Sequence, residues 1–445
     1  MDGSVYNACR FCRNGFPNRM KKKPLYILIL LVLLFAVVAM VYFQPKITTE
    51  EQSEENTTGK DEEKEGSKTP ETSPAEEINP DEQIDALLAD MTLEEKVGQL
   101  MVIGFDGSKV SSNAKDMIKN KHIGGIIYFD RNMESPKQVA ELSNSLQQTA
   151  ADSKNQLPLM IGVDQEGGDI LRMRSQVSPI PSQQKLGKIG AAETVYQTAK
   201  LNATELSAMG VNLNFAPVLD LSKTDSRSFG TDPKKTAEYG TKVIEGFQSA
   251  SITGAVKHFP GHGRSSVDPH LDSSSVEANQ LDLENSDIYP FTQLIKEVDN
   301  QNFFVMVTHI KYPAYDKEKP ASLSKVIIQD LLRKKLGYEG IVVTDDLEMG
   351  AVTKHYAYKD LGSEAIQAGA DLLLVCHTYK HQLEVYNGII EAVQSGEIPI
   401  ERINEAAKRV ISYKMNTMQH EIVDPKQADS IVKSEESLTY LENLK

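Results

Sequence analysis

Residues 254–270 read GAVKHFPGHGRSSVDPH and join a buried strand to a loop rich in ionisable groups. The apolar run that ends at Val256 is typical of a core strand, and Lys257 and His258 follow it directly. A proline and two glycines then rule out regular structure and predict a loop. That loop carries a second histidine, His262, and then Asp268 and His270. A strand tip that presents a cation and an imidazole beside such a loop predicts a catalytic face.

Short apolar runs of the same kind recur along the chain and alternate with amphipathic segments of helical periodicity. The runs are 101–105, 125–129, 159–163, 213–219, 253–256, 303–307, 340–343 and 372–375. The predicted helices are 136–151, 193–209, 235–250, 287–298, 325–335, 358–368, 379–394 and 400–418. This alternation is typical of an α/β fold with a parallel sheet. Eight strand–helix units in about 340 residues predict a (β/α)8 TIM barrel rather than an open doubly wound sheet.

The N-terminal part of the chain predicts a membrane anchor. Residues 25–43 carry no charge, and at a rise of about 1.5 Å per residue such a helix nearly spans a bilayer core of about 30 Å. Six basic residues precede this run: Arg10, Arg13, Arg19, Lys21, Lys22 and Lys23. The positive-inside rule therefore predicts a cytoplasmic segment 1–24 and an extracytoplasmic catalytic domain. A cleaved signal peptide is the alternative.

Composition predicts three further parts of the chain. Residues 44–80 are acidic and almost free of apolar side chains, so we expect a disordered linker. A single TIM-barrel domain is predicted over 81–418, opening with two helices, the second with a capping box formed by Thr92 and Glu95. A peripheral tail is expected over 419–445.

Charge and cysteine usage limit the partners. The net charge of −15 argues against nucleic acid as a partner, because phosphate binding requires a basic surface. The three cysteines, Cys9, Cys12 and Cys376, do not indicate a disulfide framework. The CxxC pair formed by Cys9 and Cys12 leaves open half of a zinc site or a redox pair.

Ionisable residues follow five of the eight apolar runs. They are Asp164 after the third run, Asp220 after the fourth, Lys257 and His258 after the fifth, His309 after the sixth, and Asp345 and Asp346 after the seventh. The carboxyl ends of the strands form the active-site face of a TIM barrel, so these side chains predict an enzyme. For Asp220 and Asp346, a helix cap or a solvated turn residue remains an alternative.

The residue types favour a carbohydrate site. The sequence has neither a GxSxG elbow nor a Walker A loop. A metal site formed by His258, His262, Asp268 and His270 is an alternative, disfavoured by the neighbouring Lys257. Several carboxylates together with Arg172, Arg227 and Lys257 fit the recognition and hydrolysis of a glycoside.

Motifs at these positions resemble those of the family-3 glycoside hydrolases. They are MTLEEKVGQL (91–100), VDQEGG (163–168), NFAPVLD (214–220), RSFG (227–230), KHFPGHG (257–263) with Asp268 and His270, PASLS (320–324) and TDDLEM (344–349). The resemblance covers about residues 81–418. Within the family these motifs are most similar to the bacterial β-N-acetylglucosaminidase (beta-hexosaminidase) subgroup, which trims N-acetylglucosamine from peptidoglycan fragments.

The resemblance implies a role for each matching residue. Asp345 would be the nucleophile that forms a covalent glycosyl-enzyme with retention of configuration, and His270 the acid/base, oriented by Asp268. The positions that would bind the sugar are Asp164, Arg172, Arg227, Lys257 and His258. No cofactor or metal is expected. For His262 we expect a structural role in its loop, and Asp346 would be an indirect partner.

Two departures from the family and several alternatives accompany this interpretation. Asp169 stands where the family usually has an arginine, so we expect altered local ion pairing rather than lost activity. We expect no C-terminal α/β sandwich domain of the kind that some relatives carry. The alternatives are another β-glycosidase specificity, a phosphorylase, a metal-dependent hydrolase, and an inactive wall-binding protein.

Overall fold

The structure, a computed structural model, describes residues 79–265, 273–418 and 422–444. The predicted anchor, almost all of the predicted linker, Cys9 and Cys12 lie outside the described residues, and so do Asp268 and His270. Among the helices that are described, none is both long and apolar enough to cross a membrane.

Eight parallel strands form a closed barrel, which confirms the predicted fold class. The strands of the chain are β1 Met101–Ile103, β2 Gly125–Tyr128, β3 Met160–Val163, β4 Leu213–Asn214, β5 Thr253–Phe259, β6 Phe303–Val307, β7 Lys311–Tyr312, β8 Asp316–Pro320, β9 Val342–Asp346 and β10 Leu372–Val375. Around the barrel the order is β1-β10-β9-β6-β5-β4-β3-β2, while β7 and β8 form an antiparallel pair. Every residue of β1, β2, β3, β6 and β10 is buried, which explains why these strands read as continuous apolar runs.

Helices surround the barrel. Those of α type are Pro80–Asp90, Leu93–Gln99, Ser112–Lys119, Pro136–Ala151, Gln183–Ile189, Ala192–Ala208, Pro233–Gln248, Gln280–Asn285, Tyr289–Glu297, Gly350–Thr353, Tyr358–Ala368, Tyr379–Gln394, Ile400–Thr417, Pro425–Ile431 and Glu435–Glu442. Val326–Lys335 is a helix of π type, and three short 3₁₀ turns are Asp130–Asn132, Asn300–Asn302 and Ala321–Leu323. The predicted helices 136–151, 358–368 and 379–394 are observed with those bounds, and the other predicted helices differ by at most two residues at either end.

The capping box at the start of the domain is confirmed. The Thr92 hydroxyl accepts a hydrogen bond from the Glu95 amide at 3.2 Å, and Glu95 Oε2 accepts one from the Thr92 amide at 2.8 Å. These two bonds satisfy N–H groups that the first helical turn leaves without a partner.

The largest differences from the predicted bounds near the active-site end are in β4, β5 and β9. β5 and β9 continue through charged residues, so Lys257, His258, Asp345 and Asp346 lie within the strands rather than after them. The predicted runs ended where the apolar residues end, whereas the extended backbone of β5 and β9 continues to Phe259 and Asp346. The predicted run 213–219 is a regular strand only over Leu213–Asn214, because Pro217 has no N–H to donate to a ladder.

Candidate active site

A cavity of about 180 Å³ opens at the carboxyl ends of the barrel strands. It brings together every described residue that was predicted for catalysis or sugar binding: Asp164, Arg172, Arg227, Lys257, His258 and Asp345. The walls also include side chains that were not assigned to the site, namely Phe129, Glu166, Met306, Met349, Cys376 and His377. The predicted acid/base pair, Asp268 and His270, belongs to the loop outside the described residues.

Lys257 lies at the centre of a chain of alternating charges. Its Nζ is 2.7 Å from Asp164 Oδ1 and 2.7 Å from Glu166 Oε1, and its side chain is only 3% exposed. Arg227 donates to both oxygens of Glu166 at 2.8 Å. This bidentate geometry fixes the guanidinium plane relative to the carboxylate plane. Arg172 Nη2 lies 3.5 Å from Asp164 Oδ2. The strand tips therefore present a rigid array of donors and acceptors.

The charge array keeps its groups ionised. Burial raises the pKa of the Asp164 and Glu166 carboxyls, but the ammonium of Lys257 and the neighbouring guanidinium groups together outweigh burial and hold both pKa values below their ordinary range. Burial lowers the pKa of Lys257, and the two carboxylates reverse this effect, so that it lies above its ordinary value. Fixed charges of both signs in one small cavity suit a ligand with many hydroxyl groups, which both donate and accept.

Glu166 was missed by the sequence analysis. It lies in the VDQEGG motif, two residues beyond Asp164, and its side chain is 2% exposed. Because its partners Lys257 and Arg227 come from distant parts of the chain, only the fold identifies it as the carboxylate that joins them. The available signal was a second acidic residue placed just after a strand of the predicted rim.

Asp220 holds His258 in place from beneath the cavity. Its Oδ2 lies 2.6 Å from His258 Nδ1, and its Oδ1 accepts from the backbone amide of His262 at 2.7 Å. A carboxylate only accepts, so Nδ1 carries a proton and the opposite ring edge is left for the cavity. Burial raises the pKa of Asp220, but His258 and His262 shift it well below its usual range. Asp220 is therefore buried and paired, which rules out the solvated-turn interpretation.

His262 and Asp169 contact the site in different ways. The His262 ring lies 5.3 Å from the His258 ring and lines the cavity, while its amide is bound by Asp220. Its backbone contact agrees with the structural role expected for it. Asp169 Oδ2 accepts from the Ser226 hydroxyl at 2.9 Å, next to Arg227. The unusual acidic residue thus joins two loops by a hydrogen bond.

Asp345 and Asp346 also line the cavity, outside this charge array, and Asp345 is the predicted catalytic residue of the two. It lies near the end of β9, and its Oδ1 accepts from the Asp346 amide at 2.9 Å. Burial raises the pKa of Asp345, but the nearby His258, His309 and Lys257 together lower it by more than burial raises it. The pKa of Asp345 therefore lies below its ordinary value. A half-buried carboxylate with a lowered pKa, open to the cavity, is suited to nucleophilic attack.

Asp346 and His309 fix the turn that carries Asp345. The backbone carbonyl of Asp346 lies 2.9 Å from His309 Nε2, and a carbonyl only accepts, so this nitrogen carries the proton. His309 Nδ1 then accepts from the Ser322 hydroxyl at 2.7 Å. The Asp346 side chain accepts from the Cys376 amide at 3.1 Å, which ties β9 to β10. Asp346 is thus a partner within the fold and not a free turn residue.

A metal site receives no support from the described side chains. No three histidine, cysteine or acidic residues converge there as ligands for an ion. Among the four residues of the metal alternative, only His258 and His262 are described, and Asp220 binds both.

Known proteins similar to this chain include named hexosaminidases. The "Beta-hexosaminidase A" of Pseudoalteromonas piscicida is 30% identical over 331 residues, which cover 68% of this chain and 55% of the relative. This chain therefore spans about half the length of that protein. The "Beta-hexosaminidase" of Nitrosomonas eutropha is 34% identical over 292 residues, covering 63% of this chain and 81% of the relative.

The fold and the family agree with these relatives. The solved structure of a glycoside hydrolase family 3 beta-N-acetylglucosaminidase from Paenibacillus sp. str. FPU-7 has a TM-score of 0.73 and 38% identity, and the match covers 80% of this chain and 68% of that one. Residues 92–413 match the Glycosyl hydrolase family 3 N terminal domain. That match covers well over half of the chain, so the protein belongs to glycosyl hydrolase family 3 and is a glycoside hydrolase.

Proposed function

We propose that this glycoside hydrolase is a retaining, exo-acting β-N-acetylglucosaminidase that releases terminal N-acetylglucosamine from peptidoglycan-derived muropeptides. The observation that carries the proposal is the position of Asp345, a half-buried carboxylate at the end of β9 with a lowered pKa, in the same cavity as the charge array around Lys257. The relatives named beta-hexosaminidase support the choice of sugar.

Two steps at the anomeric carbon account for retention. In the first, an oxygen of Asp345 attacks the anomeric carbon, the glycosidic bond breaks, and the leaving oxygen takes a proton from His270. In the second, water attacks the same carbon, His270 takes its proton, and Asp345 leaves as a carboxylate. Two inversions restore the β configuration. The roles of His270 and its partner Asp268 rest on the motif resemblance.

The sugar would be held by the cavity's charge array. Asp164 and Lys257 are placed to accept from and donate to its hydroxyls, and Arg172 and Arg227 frame them. His258 has its ring nitrogen fixed by Asp220, so the other nitrogen is set for a ligand. An imidazole acid/base avoids another anion beside an acidic muropeptide, which suits this class of substrate.

The direct test is hydrolysis of aryl β-glycosides by the detergent-solubilised full chain. We expect turnover of the β-N-acetylglucosaminide and little turnover of the β-glucoside, with the β anomer of the free sugar released first. His270→Ala should lower kcat by roughly 10²- to 10⁴-fold, the usual contribution of a general acid. Phosphate-dependent formation of a sugar 1-phosphate would favour a phosphorylase, and loss of activity on chelation a metal-dependent hydrolase. Binding of muropeptides without turnover of any glycoside would favour the inactive wall-binding protein.

Membrane attachment is part of the proposal. The uncharged run 25–43 and the basic residues before it support a single-pass anchor with the catalytic domain outside the cytoplasm. We expect the activity in the membrane fraction of cells, resistant to alkaline washing, and we expect protease added to intact protoplasts to destroy it. Activity that sediments with no membrane, or that survives such protease until lysis, would contradict this placement.

A further inference from the structure

The C-terminal segment 422–444 packs on the side of the barrel, beyond the family-matched residues 92–413. Its apolar contacts are Ala428, Val432 and Leu441, all buried. The amide of Asn144 holds both backbone groups of Val423, donating to its carbonyl at 2.8 Å and accepting from its N–H at 3.0 Å. The segment is thus fixed to the helix Pro136–Ala151.

The middle of the segment reaches the loop after β3. Glu205, which is 3% exposed, accepts from the amides of Ser178 at 3.1 Å and Lys433 at 2.8 Å. Lys433 Nζ also donates to the Ser175 carbonyl at 2.7 Å. The backbone of Lys433 has a φ of +59°, a left-handed conformation that costs free energy for a residue with a Cβ. A buried carboxylate and a strained residue of the segment therefore hold the loop together.

The segment also contacts the start of the helix that follows the loop after β2. Asp429 Oδ1 accepts from the Lys137 amide at 3.0 Å, one of the N–H groups that the first turn of helix Pro136–Ala151 leaves without a partner. That helix follows the turn Asp130–Asn132 by a few residues. Asp429 therefore fixes the helix end that follows the β2 loop.

These two loops meet at the substrate cavity. Arg172 Nη1 lies 3.4 Å from Asp130 Oδ2, and the Met173 amide donates to Asp130 Oδ1 at 3.0 Å. Met173 is also left-handed, with a φ of +49°. Phe129 and Arg172 line the cavity, and the Arg172 guanidinium lies 5.3 Å from the Phe129 ring centroid. Movement of either loop would shift Arg172.

We infer that segment 422–444 positions these substrate-binding loops, with Asp429, Lys433 and Glu205 as positioning residues for Arg172. The inference rests on the proposed function, because Arg172 is taken to bind the sugar. Asp345 lies on strand β9, which takes no part in the hydrogen bonds described above between the segment and the barrel. Weakening the segment should therefore raise KM and leave kcat nearly unchanged.

The test compares Glu205→Gln and Lys433→Met in the full chain. Gln replaces one acceptor by a donor, so one of the two amides loses its partner, and Met removes only an exposed ammonium. We expect KM for the aryl β-N-acetylglucosaminide to rise about tenfold in Glu205→Gln and about threefold in Lys433→Met, as for the loss of one hydrogen bond. kcat should stay within about twofold of wild type. Lys433→Arg should restore KM, and the exposed Lys426→Met is the matched control.

A second readout does not depend on turnover. Arg174 lies in the β3 loop and is exposed, so trypsin cleavage after it reports how firmly the loop is held. We expect faster cleavage in both variants and an unchanged rate in Lys426→Met. Unaltered KM and cleavage in folded Lys433→Met and Glu205→Gln would overturn the inference. If wild type hydrolyses no hexosaminide, the proposed function fails, and the cleavage rates alone then decide whether the segment holds the loop.

Discussion

Asp345→Asn is expected to lower kcat for the aryl β-N-acetylglucosaminide by roughly 10⁴-fold, because the amide cannot form the glycosyl-enzyme. The variant is nearly isosteric, and its Oδ1 can still accept from the Asp346 amide, so the turn at the end of β9 should keep its shape. The cavity and KM should therefore change much less than kcat.

Three measurements separate loss of the nucleophile from loss of the fold. Asp360→Asn, on the exposed side of helix Tyr358–Ala368, is the control and should retain full activity. Thermal melting should give similar midpoints for both variants and wild type. Mass spectrometry of wild type quenched during turnover should find an N-acetylhexosamine on the peptide that contains Asp345. Full activity in Asp345→Asn would mean that another residue carries the chemistry.

The positioning of Asp345 explains why the second acidic residue is present. Asp346 accepts from the Cys376 amide and, through its carbonyl, from His309. Burial lowers the pKa of His309, which favours the neutral ring that this pair of hydrogen bonds requires. The turn therefore holds Asp345 between β6 and β10.

The fold could be predicted because its strands are buried on both faces. Continuous apolar runs such as 303–307 and 372–375 are the observed strands β6 and β10. Where charged residues continue the backbone pairing, as at Lys257 in β5, the run stopped short of the strand. Apolarity reports burial of a side chain, whereas a strand is defined by its hydrogen bonds.

Most residues of the candidate site could be predicted from the sequence, but the contacts between them could not. Rim residues such as Asp164 and Lys257 were predicted because they follow apolar runs, and the barrel brings their side chains to within 2.7 Å of each other. Glu166 was overlooked because its place in the site depends on its ion pair with Arg227, which lies sixty-one positions further along the chain. Glu205 and Lys433 are further apart still, and no periodicity in either segment predicts their contact.

Lys257→Met is expected to lower the free energy of unfolding by about 3–5 kcal/mol at pH 7, because the buried Glu166 and the partly buried Asp164 lose their shared cation. Asp164 then keeps only Arg172 at 3.5 Å, while Glu166 keeps Arg227. Sugar binding should weaken as well, since the ammonium is part of the array. The exposed Lys235→Met on helix Pro233–Gln248, which precedes β5, is the matched control and should change stability little.

The pH dependence of this loss has a definite sign. In wild type the pKa values of Asp164 and Glu166 are lowered by Lys257, so their contribution is full above the unfolded values of about 4 and is lost as pH falls towards the folded values. In Lys257→Met burial prevails and should raise both pKa values, so protonation should stabilise the variant as pH falls. The gap in melting temperature between the two proteins should therefore narrow from pH 7 to pH 4.5. A gap that stays constant or widens would mean that the carboxylates do not depend on Lys257 for their charge.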